Sequence, residues 1–88
     1  MQTIEGSYER LNRTQFNGLK VGDQIILIAG QHGMRQVARV TVSQEPGTTG
    51  VFVKIDEWLE KGDKVPNEAP YRVGDEILAG TQEVYRKN

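Results

Sequence analysis

The sequence predicts a mainly β domain: a small, partly open β-barrel of the SH3-like or PUA-like size class, with five or six short strands. Three observations predict it. Glycine and proline recur between short apolar runs. Two of those runs alternate apolar and polar residues with the two-residue period of a half-buried strand. The phrase Val-Gly-Asp occurs twice, as Val21–Asp23 and Val73–Asp75, each time ahead of a β-rich run.

The repeated phrase is a turn device. Glycine takes positive φ without steric cost, and the aspartate folds its carboxylate onto nearby backbone amides. Each phrase delivers the chain into a strand, with its valine expected inside. A shared local device accounts for the likeness without an internal duplication.

After the first turn, "QIILIAG" (Gln24 to Gly30) reads as a strand. "QHG" (Gln31 to Gly33) reverses the chain, and "RQVARVTVS" (Arg35 to Ser43) returns. In the returning strand Ala38, Val40 and Val42 share one face, and Arg35, Val37, Arg39 and Thr41 the other. "QEPGTTG" is a turn, and "VFVKI" (Val51 to Ile55) is a third strand with Val51, Val53 and Ile55 inward. Three strands in meander order follow from this.

In "DEWLEKG" Asp56 suits a helix N-cap and Gly62 a helix end, which predicts one short helical turn near 56–61. "DKVPNEAP" is an irregular crossing. Glu76–Ala79 and Gln82–Arg86 are short strands, expected to pair through Gly80 and Thr81. At the front, "TIEGSY" reads as an edge strand, and Thr14–Gly18 as a single turn capped by Thr14 with Phe16 inward.

Eighty-eight residues make one domain, 1–88, with a thin core. There is no cysteine for a disulfide or thiolate site. The longest apolar run, Ile25–Ala29, is far short of the ~20 residues of a membrane span. No signal-peptide pattern opens the chain, so a cytoplasmic protein without membrane association is expected. The net charge of −1, with both signs scattered, disfavours a non-specific grip on phosphate backbones.

"IILI" has two apolar faces, Ile25 with Leu27 and Ile26 with Ile28. A barrel has one interior, so the outer pair needs a cover. Leaving two large aliphatic side chains wet forfeits roughly 3–6 kcal/mol. Either the chain's own Trp58 and Leu59 cover that face, or a second copy or another partner does.

The single histidine, His32, lies in a loop without a second histidine or a cysteine, so no metal site is expected. No nucleophile elbow or phosphate-cradling loop is present, and the acids read as a solvated surface. No cofactor is expected.

The stretch "LKVGDQIILIAGQHGMRQVARVTVSQ" resembles the turn–strand–loop–strand core of PUA-like and ASCH barrels, over less than a third of the chain. It lacks the glycine–lysine–acid signature of ASCH domains. The resemblance implies a small barrel and does not fix a function.

The first functional reading is a non-enzymatic interaction module that binds a protein partner or itself, acting as a regulator, an inhibitor or a small subunit. Its expected contact residues are Ile26, Ile28, Val37, Arg39 and Trp58, since aromatic and arginine side chains carry much interface energy. The alternative is a nucleic-acid-binding barrel that uses Arg35, Arg39, Phe52 and Lys54, with bases stacked on the aromatic ring.

Overall fold

The computed structural model describes residues 4–5, 8–29, 36–61 and 72–87. They form seven strands and one helix: β1 (Ile4–Glu5), β2 (Tyr8–Arg10), α1 (Arg13–Asn17), β3 (Gln24–Ala29), β4 (Gln36–Val42), β5 (Gly50–Lys61), β6 (Glu76–Gly80) and β7 (Val84–Lys87). All seven strands belong to one sheet in the order β1-β2-β7-β3-β4-β5-β6. Every neighbouring pair is antiparallel. The mainly β class is as expected, and the sheet is not closed.

Its curvature follows from one connection. In a flat sheet β6 and β7 would stand four strand spacings apart, roughly 19 Å. Three residues, Thr81 to Glu83, join them, and the four steps from Gly80 to Val84 reach about 14 Å when fully extended. A turn bond from the Glu83 N–H to the Gly80 carbonyl, 3.0 Å, shortens the path further. The sheet therefore has to curl until β6 ends near β3. β6 and β7 do not pair as a hairpin, contrary to the sequence expectation; β7 pairs with β2 and β3 instead.

The two Val-Gly-Asp phrases are the same structure twice. Gly22 has φ of 96° and Gly74 of 95°, as the third position of a type II turn requires. The Asp23 N–H donates to the Lys20 carbonyl, and the Asp23 carboxylate accepts from the Lys20 N–H. Asp75 does the same with Arg72. Gly22 donates to the Val42 carbonyl while the Val42 N–H donates to the Asp23 carbonyl. Two residues thus oppose one, a glycine-type bulge that re-aims the strand. Gly74 and Asp75 repeat it against Ile55. The valines are not inside: Val21 and Val73 sit at the turn corners, each 60% exposed.

Residues 56–61 are not helical. They continue β5 against Gln36–Arg39, through two register shifts. Arg39 opposes Glu57 and Val40 opposes Ile55, so Asp56 is the extra residue. Its carboxylate accepts the Thr41 hydroxyl instead of capping a helix. The bulge also changes the inward spacing: Ile55 and Trp58, three apart, both pack on the main core. The helix lies earlier, at α1, and its cap is Asn12 rather than Thr14. The Asn12 side chain accepts from the Gln15 N–H at 2.8 Å and the Gln15 side chain accepts from the Asn12 N–H at 2.9 Å. This capping box satisfies two otherwise orphaned donors at once.

The main core gathers Ile25 and Leu27 of β3, Ala38, Val40 and Val42 of β4, Val51, Val53 and Ile55 of β5, Ala79 and Val84, with Leu11 and Phe16. A second apolar cluster lies on the other face of β3: Ile26, Ile28, Val37 and Tyr85, with Tyr8 packed against it. Among the described residues its members come from β3, β4 and β7 with Tyr8 of β2, and neither Trp58 nor Leu59 belongs to it.

Candidate interaction surface

The expected contact residues do not form one surface. Ile26, Ile28 and Val37 are 8%, 6% and 0% exposed, so they are part of the folded interior. Trp58 packs against the main core, on the opposite side of the sheet from that second cluster. Arg39 is exposed on the outer face of β4, where its guanidinium meets the Glu57 carboxylate at 2.9 Å. Arg35 and His32 lie outside the described residues.

Phe52 and Lys54 do stand on the outer face of β5, both exposed. Their surroundings alternate in charge. Arg39 is paired with Glu57, and Lys54 lies opposite Thr41 on one side and Glu76 on the other. Glu76 accepts from the Ser43 hydroxyl and the Gln44 amide. Among the described residues the cations of this face are interleaved with acids.

Among the described large apolar residues, Val21, Phe52, Leu59, Val73 and Leu78 are exposed. Phe52 and Leu78 are direct cross-strand partners. They stand 38% and 51% exposed, and together make an apolar pair on the outer face. Leu78 belongs to β6, which has β5 as its one neighbour among the described residues. The bond from the Ile55 N–H to the Asp75 carbonyl sets the ladder phase. By the two-residue alternation, Ile77 and Ala79 then bond to β5, while Glu76, Leu78 and Gly80 turn their backbone groups to the free edge. The Gly80 N–H is already taken by the Glu83 carboxylate at 2.9 Å. Leu78 therefore offers an exposed side chain and, among the described residues, an unpaired backbone edge at one position. Sequence reasoning placed Phe52 outward; Leu78 was missed because "EILA" alone does not say which face it shares.

A cleft of about 330 Å³ lies at one end of the sheet. Leu11, Asn12, Arg13, Phe16 and Asn17 line one side, Pro46, Gly47 and Thr48 of the β4–β5 loop another, and Thr81 adds to the lining. The described residues contain no group of three or more histidines or acids able to hold a metal ion. No described helix is long and apolar enough to cross a membrane.

Comparison of the chain with known protein families, curated proteins and solved structures gives no match.

Proposed function

We propose that the chain is a non-enzymatic interaction module, binding a protein partner or a second copy of itself through the outer face of β5 and β6. The observation that carries this reading is the Phe52–Leu78 pair: two large apolar side chains, directly opposite and exposed, on a strand that has no second neighbour among the described residues. Exposed apolar groups that adjoin one another are the usual mark of a contact surface, where single ones are not. Arg39 and Lys54 belong to its polar rim. Ile26, Ile28 and Val37 stabilise the module from within rather than touching a partner.

The nucleic-acid reading is weaker. Arg39 is neutralised by Glu57, and Lys54 stands beside Glu76, whereas backbone binding needs a local excess of cations.

The test is sedimentation velocity across a wide concentration range, together with photo-crosslinking from position 52 or 78 in native lysate. Concentration-dependent association, or a discrete crosslinked species that is lost when the probe moves to position 87, supports the module. A strict monomer that crosslinks to nothing from either position removes it.

A further inference from the structure

We propose that the cleft beside α1 binds a small ligand made of an apolar body and a single carboxylate. This goes beyond the strand-face surface and does not depend on it. The volume, about 330 Å³, falls at the small end of the ~300–1,000 Å³ usual for ligand clefts. Leu11, Phe16 and Pro46 give it apolar lining, and Thr48 and Thr81 bring hydroxyl donors.

Among the described residues of the lining, Arg13 is the one that carries a charge. It forms no ion pair among the described residues, and no acid of the cleft competes for it. Helix stability does not explain its position. The first helical turn favours negative charge, and Arg13 opens α1 with no acid in that turn. A guanidinium with planar, paired donors suits a carboxylate. One cation balances one negative charge, and Leu11, Phe16 and Pro46 give an apolar body a contact that a bare phosphate cannot use.

The test is an amide-resolved NMR titration of the whole chain with 3-phenylpropionate, 3-phenylpropionamide and inorganic phosphate in turn. Saturable shifts from the carboxylate, confined to the amides of 11–17, 47–48 and 81, are expected. The amide and phosphate should bind at least about tenfold more weakly, as the loss of one charged hydrogen bond implies. Arg13→Gln leaves the Asn12–Gln15 capping box in place and should weaken binding by a similar factor, while Arg72→Gln should not. A peptide ending in phenylalanine separates the sources: tighter binding than the free acid assigns the carboxylate to a chain terminus, and weaker binding assigns it to a free metabolite-sized acid. No saturable shift, equal binding of the amide or of phosphate, or unchanged binding by Arg13→Gln would overturn the proposal.

Discussion

Thr41 and Lys54 face each other across β4 and β5 at the centre of a two-fold pattern of pairing. Exchanging the strands about this pair turns Val40–Ile55 into Val53–Val42, which is also observed. The outer strands obey the same exchange. Gln24–Thr41 maps to Glu76–Lys54, Ile25–Val40 to Ile77–Val53, and Ile26–Arg39 to Leu78–Phe52. The two glycine bulges, opposite Val42 and Ile55, are also equivalent. Strand order is reversed between the halves, so this is not a tandem repeat. The halves differ beyond their outer strands: Ile26 is covered by Tyr85 of β7, while its counterpart Leu78 has no described strand beyond it.

The equivalence predicts matched costs at the two turns. A Cβ at Gly22 or Gly74 meets nothing within 4 Å, so Gly→Ala at either position is opposed by backbone strain alone. Each should cost about 1–2 kcal/mol in urea unfolding, with the two values close to one another.

Gly50 and Gly80 oppose each other across β5 and β6 but should respond differently. A Cβ at Gly50 would lie 2.3 Å from the Ala79 carbonyl oxygen, a backbone atom. Gly50→Ala should cost about 2–4 kcal/mol. At Gly80 the nearest atom is the end of the Glu83 side chain, at 3.1 Å, and Gly80→Ala should cost about 1 kcal/mol or less. Thermal or urea unfolding of both variants checks the contrast.

Burial of the second cluster makes a sharp distinction between two isoleucine-like positions. Ile28→Ala should destabilise the monomer by about 2–4 kcal/mol. Leu78→Ser should change stability by about 0.5 kcal/mol or less and should act on association instead. Equal destabilisation by both in urea unfolding would contradict the difference in their exposure.

Arg39→Ala removes an ion pair whose two side chains are 45% and 54% exposed. Solvent screens such a pair, so the stability change should stay within about 0.5 kcal/mol. Fluorescence anisotropy with mixed-sequence single-stranded DNA and RNA at low salt should show no saturable binding for wild type or for Arg39→Ala.

Much of the fold was legible because alternation is a local signal. Ala38, Val40 and Val42, and Val51, Val53 and Ile55, face inward as their spacing requires. The stretch 56–61 was not legible. A bulge at Asp56 sets Ile55 and Trp58 three apart, which reads as helical spacing, and aspartate suits both a cap and a bulge. The two apolar faces of Ile25–Ile28 were visible, but Tyr8 and Tyr85, which pack with the outer one, are distant in sequence and become neighbours through pairing. The candidate surface was half legible, through Phe52; Leu78 acquires its face from register with β5. The cleft draws on three separate connections, and no contiguous motif announces it.

The short link between Gly80 and Val84 has a consequence for assembly on the ribosome. Strands β3 and β4 form a hairpin that leaves the exit tunnel well before Val84 and Tyr85 do. Until those two residues emerge, Ile26 and Leu27 lack their second neighbour, and the greasy outer side of β3 stays open to solvent and to chaperones.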